Sequence, residues 1–445
     1  MFKRIGDVIK QWFISGVFFK KIIFLIYKTI LFIVNKLFAI VKKIIVKILF
    51  ILRNLLCLIF YLPDWGIKTL ARKRLAKKTP VENKVLFLTF QGGYTCNPRA
   101  IADEMIRQNV DAKLVWDVKT KIPACDYPMQ LRMVKHDTVE FYKELASAKV
   151  IIENTNIMER IGAYKNKDQY LIQTWHGSMG IKRLDGDVVM GRAWKRLSKK
   201  CQKYVDYLLS NSDFETEVFQ TAYWPGVEIL NTGHARNDIF FWEDEERIAK
   251  NRRKVYKELN IEEDRKIFLF APTHRDGEDD DNVFKGLDYK AIKKALEARF
   301  GGKWQIVLRL HNRLKGQSSK WLKNLPYYVT DATKYADMQE ILAVTEVGVT
   351  DYSSWIFDYV LTKKPGFIVE RGLEDFQNTR GFYYPIETTP FPIAKDYKEL
   401  CKRIREFDEE KYQKDITTFL EARGCFEDGH ASERIVEKIK ELLAK

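Results

Sequence analysis

The chain has 445 residues, 46% of them apolar and 13% aromatic, which excludes a disordered polymer and is too much for one ordinary core. Its formal net charge is +16, but residues 1–62 hold eleven Lys or Arg against the single acid Asp7, leaving only +6 for the other 383 residues. A basic stripe along the folded body is therefore not expected, and nucleic-acid binding is set aside as the main function.

Residues 1–62 are rich in Ile, Leu, Phe and Val. They never reach the roughly 18 uninterrupted apolar residues that a spanning helix needs. Wound at about 100° per residue with Lys20 at zero, all eleven basic residues fall within about 200° of arc, and Gln11, Thr29, Asn35 and Asn54 share that sector. The pattern predicts an amphipathic helix, interrupted near Gly16, lying on a bilayer surface with anionic headgroups. The competing reading packs the same face on the protein's own body or a partner helix. Lysines recurring throughout, with no small-residue cleavage site after them, speak against a cleaved signal peptide. Pro63-Asp64-Trp65-Gly66 reads as the end of this helix, and Lys68 to Lys78 as a basic linker.

From Lys84 onward short β-type runs alternate with helical patterns, which predicts mostly parallel sheets covered on both faces. Strands are expected at 85–90, 114–118, 150–153, 170–174, 207–210 and 227–230, then, after a charged helical connection at 243–264, at 267–271, 306–310, 327–330, 347–350 and 367–369. Helical patterns at 289–300, 353–361, 397–407, 411–422 and 432–443 complete the chain. The expected fold class is α/β, with two Rossmann-like domains facing across a cleft, at 79–260 and 261–445, behind the membrane-surface segment 1–78. Cys57, Cys96, Cys125, Cys201, Cys401 and Cys425 form no Cys-x-x-Cys pair, which fits a reducing compartment and neither a zinc site nor a disulfide scaffold.

Polar chemistry gathers at the strand ends. The run Tyr170-Leu171-Ile172 leads into Thr174-Trp175-His176-Gly177-Ser178, placing an imidazole at a sheet edge. The strand at 306–310 delivers Arg309 and His311, one cation and one imidazole two residues apart and so on one side, a pairing suited to a pyrophosphate. Asp351-Tyr352-Ser353-Ser354 follows a strand and opens a helix, where the serines are expected as caps and the free N–H groups as a phosphate site. Asp358 lies one helical turn further on, toward a hydroxyl of the same ligand. Gly233-His234-Ala235-Arg236-Asn237-Asp238 and Pro272-Thr273-His274-Arg275-Asp276 are further strand-end loops. Taken singly, each has an ordinary reading as a structural histidine or a capped helix. The acidic run Asp276 to Asp281 lacks calcium-loop spacing and reads as a solvated loop. No Gly-rich nucleotide fingerprint and no nucleophile elbow is present.

Taken in order, Trp175-His176-Gly177-Ser178, Gly233 to Asp238, Pro272 to Asp276, Arg309-Leu310-His311 and Thr350 to Ser354 with Asp358 resemble the CDP-glycerol glycerophosphotransferases of bacterial teichoic acid synthesis, over roughly residues 84–390. Asn97-Pro98-Arg99-Ala100 is similar too. The resemblance implies a glycosyltransferase B type fold, peripheral attachment to the cytoplasmic face of the cell membrane through residues 1–62, and transfer of glycerol phosphate from CDP-glycerol to the terminal hydroxyl of a lipid-linked acceptor, releasing CMP. It makes 79–260 the acceptor domain and 261–445 the CDP-donor domain.

By motif position the resemblance makes His176 the general base, with His311 as a second catalytic histidine. It puts Trp175, Gly177, Ser178, Arg236, Pro272, Thr273, Arg309, Ser353, Ser354 and Asp358 on the substrates. No cofactor and no metal are expected, because none of the motifs is a metal-ligand cluster. The chain departs from the family pattern at Ser178-Met179, where Thr-Pro is usual, at His274, where Trp is usual, and at His234-Ala235, where Tyr-Pro is usual. A CDP-ribitol or nucleotide-sugar donor stays open on these departures, as does a non-enzymatic basic membrane scaffold.

Overall fold

The computed structural model describes residues 4–7, 17–90, 93–119, 127–184, 186–188, 202–273, 286–310, 325–370, 373 and 381–445. It divides into two compact units, Met1–Ala71 and Arg72–Lys445.

The first unit is helical. Helix α1 spans Val17–Lys78, and among its described side chains Leu25, Ile30, Ile33, Leu37, Phe38, Lys28, Lys36 and Lys42 are all exposed. No helix among the described residues is long and apolar enough to cross a membrane. The sequence places a stop at Pro63 to Gly66, but α1 continues to Lys78. Residues 67–78 are dominated by Lys, Arg, Leu and Ala, strong helix formers, and that preference carries the helix past one proline. Its last turns also gain tertiary support, since Ala76 is buried and Arg72 donates to the carbonyl of Ile161 and to Asp137.

The second unit is built on two sheets whose strands pair only in parallel. The first holds β1 (Glu82–Leu88), β2 (Lys113–Val118), β3 (Leu131–Lys135), β4 (Ala148–Glu153), β5 (Tyr170–Gln173), β6 (Tyr207–Ser210) and β7 (Glu228–Asn231), in the order β3-β2-β1-β4-β5-β6-β7. Helices α2 (Cys96–Arg107), α3 (Val139–Ser147) and α4 (Asp213–Ala222) connect them. Helix α5 (Glu245–Glu258) then leads to the second sheet. There β8 (Arg265–Phe270), β9 (Lys303–Leu308), β10 (Val329–Asp331), β11 (Thr345–Thr350), β12 (Gly366–Val369) and β13 (Ile393–Ala394) run in the order β10-β9-β8-β11-β12-β13. Helices α6 (Tyr289–Phe300), α7 (Met338–Val344), α8 (Trp355–Tyr359), α9 (Tyr397–Arg405), α10 (Glu409–Glu421) and α11 (Ala431–Ala444) complete the chain.

Each sheet thus repeats the doubly wound order 3-2-1-4-5-6, the first extended by β7. In such a sheet the order reverses between its first and fourth strands, and the crevice beyond their carboxyl ends is where ligands sit. Here those pairs are β1 with β4, and β8 with β11.

Alternation along β1 explains the layers. Val85 and Phe87 point to one face, where Ile101 and Met105 of α2 and Ile435, Val436, Ile439 and Leu442 of α11 cover them. Leu86 and Leu88 point to the other, against Phe141 and Leu145 of α3 and Val218 and Phe219 of α4. All four β1 residues have zero exposure, and each such side chain contributes about 1.5–3 kcal/mol of burial. The last helix therefore completes the core of the first half. Acidic or hydroxyl caps fix several helix starts: Thr138, Ser212, Asp244, Asp288, Asp337, Asp396 and Asp408 each accept from an N–H of the first turn.

The described strands agree in place with the expected ones. Strands β3 and β13 carried too little apolar pattern to be read. Expected residues at 274–285 and 311–324, His274, Arg275 and His311 among them, lie outside the described residues.

Candidate active site

Strand β5 ends at Gln173, and the next residues turn sharply. Trp175 has φ of +51°, costly for a side chain with a Cβ. It is held there because its N–H donates to Gln173 Oε1 at 2.9 Å, while Gln173 Nε2 donates to Glu153 Oε1 at 3.0 Å. The Trp175 indole packs among Phe219, Tyr223 and Trp224. The turn leaves His176 exposed at the switch point of the first sheet. Its Nδ1 lies 2.6 Å from the carbonyl of Asn154, the residue after β4, and its ring stacks 6.4 Å from that of Phe90, just beyond β1. A carbonyl only accepts, so Nδ1 carries a proton, and in the neutral imidazole the lone pair is on Nε2.

The two residues after His176 are gripped from behind. Arg236 Nη2 donates to the carbonyl of Gly177, and Asn211 Nδ2 donates to Ser178 Oγ at 2.8 Å. Arg236 follows β7 in the 3-10 turn Ala235–Phe241 and is 4% exposed. Its Nε and Nη2 both meet Asp358 of α8 at 3.1 Å. Burial works against this guanidinium's charge, but the carboxylate, with Cys96 and Glu215 nearby, outweighs it and holds the pKa above the ordinary value.

Asp358 accepts two further bonds, from Asn237 Nδ2 at 3.2 Å and Gln339 Nε2 at 3.0 Å. The resemblance puts Arg236 on the substrates, and the sequence points Asp358 toward a ligand hydroxyl. In the structure the two side chains satisfy each other, joining the first half to the second.

At the switch point of the second sheet, Pro272 is buried and the Thr273 N–H donates to Asp351 Oδ1 at 2.8 Å. Thr273 Oγ1 is buried without a partner among the described residues. Ser354 makes no capping bond, contrary to expectation, because α8 is a single short turn whose Ser354 has helical φ and ψ. Ser353 and Ser354 are only partly buried. Gly180, beyond the His176 loop, approaches so closely that a Cβ there would lie 3.2 Å from that of Ser354. This brings the two strand-end loops together, and the bridge between Lys182 and Phe382 continues the seam.

Arg309 follows β9 and donates to the carbonyls of Ala332 and Tyr335 at 3.3 and 2.8 Å. Among the described residues no carboxylate pairs with it directly. Burial pushes its pKa down to about 10, against the pull of Asp337 and Tyr335. Asp337 caps α7 and also accepts from Thr95 Oγ1 and the Cys96 N–H at the start of α2. Arg99 of α2 adds ion pairs to Asp337 at 3.3 Å and Glu340 at 2.7 Å.

The structure thus joins Trp175, Gly177, Ser178, Arg236, Asp358 and Ser354 in one connected seam, and places Pro272, Thr273 and Arg309 at strand ends of the second sheet. Asn211, Glu215, Asp337, Gln339 and Glu427 also belong to this network, and the sequence motifs do not single them out. Asn211 sits at a strand end beside the helix-capping Ser212 and was legible as such. Glu427 carries no motif signal.

Residues 71–441 match the family model described as CDP-Glycerol:Poly(glycerophosphate) glycerophosphotransferase. The chain is 29% identical over 380 residues to the teichoic acid poly(glycerol phosphate) polymerase of Staphylococcus epidermidis, covering 80% of this chain and 50% of that one. It is 28% identical over 387 residues to the teichoic acid glycerol-phosphate transferase of Staphylococcus aureus, covering 82% and 95% respectively. The chain thus spans about half the length of the poly(glycerol phosphate) polymerases it matches in Staphylococcus epidermidis and Bacillus subtilis. Among solved structures, a histidine-to-asparagine variant of the wall teichoic acid polymerase TagF, soaked with CDPG, superposes with a TM-score of 0.73 at 26% identity, covering 88% of this chain and 97% of that one.

Proposed function

The chain belongs to the CDP-glycerol:poly(glycerophosphate) glycerophosphotransferase family, and on that premise we propose that it transfers glycerol phosphate from CDP-glycerol to the terminal hydroxyl of a membrane lipid-linked acceptor in teichoic acid or related cell-surface polymer synthesis, with His176 as general base.

The observation that carries this reading is the bond from His176 Nδ1 to the Asn154 carbonyl at 2.6 Å. In the neutral ring this bond selects the tautomer with its lone pair on Nε2, the one a general base requires. Nε2 takes the acceptor hydroxyl's proton as its oxygen bonds to the glycerol-bearing phosphorus. The bond from that phosphorus to the bridging oxygen breaks, and its electron pair leaves with CMP. Charge on the departing phosphate is met by Arg309 and His311, by the hydroxyls of Thr273, Ser353 and Ser354, and by the N–H groups that open α8. A half-buried guanidinium bonded only to carbonyls among the described residues supports this role, since it has charge to offer an anion. Arg236 and Asp358 act one step back, holding Gly177 and with it the His176 loop.

Residues 79–260 serve as the acceptor side and 261–445 as the donor side, with α11 returning to the former. Residues 1–62 rest on an anionic membrane surface at the cytoplasmic face. The exposed Lys28, Lys36 and Lys42 beside exposed Leu25, Ile30 and Leu37 support that placement.

Incubation with CDP-glycerol and, separately, CDP-ribitol, each with a lipid-linked acceptor, followed by mass analysis, tests the proposal. Growth of the acceptor by glycerol phosphate with stoichiometric CMP is the expected result. Incorporation from CDP-ribitol alone, or none from either donor, overturns it.

A further inference from the structure

The network behind the His176 loop converges on Glu427, in the segment between α10 and α11. Its carboxylate accepts from Asn211 Nδ2 at 3.0 Å, from Asn237 Nδ2 at 2.8 Å and from the His234 N–H at 3.2 Å. Each amide nitrogen also donates away from Glu427. Asn211 reaches Ser178 Oγ at 2.8 Å, and Asn237 reaches Asp358 Oδ1 at 3.2 Å. Asp358 in turn fixes Arg236 on the carbonyl of Gly177. An amide nitrogen has two hydrogens, so one carboxylate orients both arms that hold the residues after His176. Gly233 records how tight the site is, because its φ is +84° and a Cβ there would lie 2.7 Å from Glu427 Oε2.

We propose that Glu427 is a positioning residue for the transfer reaction, holding the loop that carries His176 through both arms, and that it does so only as the ionised carboxylate. The three groups bonded to it are all donors. Protonation would bring a fourth donor among them and remove an acceptor, so both amides would lose their anchor.

The charged and titratable groups around it are His234 on the loop after β7, Glu215 on α4, Asp358 on α8, Cys425 in its own segment and Arg434 on α11. Burial pushes the Glu427 carboxyl up to about 7, against the pull of His234 and the two amides. The anchor therefore changes charge near neutrality.

The inference rests on His176 as the base, and one set of measurements separates the two. Wild type, Glu427→Gln, Glu427→Asp and His176→Ala are compared for transfer from CDP-glycerol between about pH 5.5 and 9, with CDP-glycerol affinity and melting temperature measured for each. Glu427→Gln is expected to lower kcat about tenfold or more, with donor Kd changed less than about threefold, because the loop is displaced and the donor site is not. The acid limb of log kcat/KM, with a slope near 2 in wild type, should fall to about 1 in Glu427→Gln, and Glu427→Asp should recover the steeper limb and part of kcat.

A kcat within about twofold of wild type, or a loss of kcat with the slope unchanged, overturns the inference. So does a wild-type limb of slope 1, which is readable even if Glu427→Gln fails to fold. Retained turnover in His176→Ala overturns the reading of the base itself, whatever Glu427 does.

Discussion

Removing either member of the Arg236–Asp358 pair should strand the other. Arg236 is 4% exposed and bonds Asp358 through two nitrogens at 3.1 Å, so Asp358→Leu leaves a buried guanidinium with, among the described residues, only the Gly177 carbonyl and the Cys96 sulfur. Breaking a buried pair by losing one partner costs about 3–5 kcal/mol, and Arg236→Met should cost a similar amount for the carboxylate left behind. Against a typical stability of about 5–15 kcal/mol either loss is large. The double variant removes both charges together and should be far less destabilised than the sum, giving a coupling of about 3 kcal/mol or more. Urea unfolding of all four proteins, followed by tryptophan fluorescence, closes the cycle. Additivity within about 0.5 kcal/mol would refute the claim that this pair holds the two halves at the His176 loop.

His176→Ala should abolish turnover while calorimetric binding of CDP-glycerol stays within about threefold. Arg309→Gln should weaken donor binding about 10- to 100-fold, the loss of a charge-assisted contact, with little change in melting temperature. Glu427 also makes stability depend on pH. Burial raises its carboxyl from 4.5 to about 7, so the folded chain keeps a proton that the unfolded chain releases in between. That contribution is complete below about pH 4.5 and falls by about 3 kcal/mol as pH rises to about 7. Denaturant midpoints across this window should decline in wild type and flatten in Glu427→Gln. Gly233→Ala should disturb the same place, through its positive φ and the contact with Glu427. Lower kcat and lower melting temperature together are the expected signature.

The buried strands were legible because a parallel strand covered on both faces must be apolar throughout, as Val85-Leu86-Phe87-Leu88 is. β3, with the pattern Leu131-Arg132-Met133-Val134-Lys135, has too little of that signal, since only Leu131 and Val134 are buried. Lys68 to Lys78 reads as a linker by its charge, although the same residues favour helix. At the site, strand-end polar residues were visible one by one, but partnership was not. Nothing within ten residues of Glu427 announces that its carboxylate meets Asn211 and Asn237, 216 and 190 positions away. That Arg236 and Asp358 bond each other was not legible, because sequence shows charge and conceals pairing across 122 residues.

Helix α11 sets a schedule for synthesis. The first sheet is complete at Asn231, yet its core lacks Ile435, Val436, Ile439 and Leu442 until about 200 more residues have emerged. At about 5–20 residues per second that is a delay on the order of 10–40 s, during which one flank of the first sheet exposes Val85, Phe87 and Ile152. Such a nascent half is a ready client for a chaperone, and shortening the chain at 431 should raise the aggregated fraction of the product.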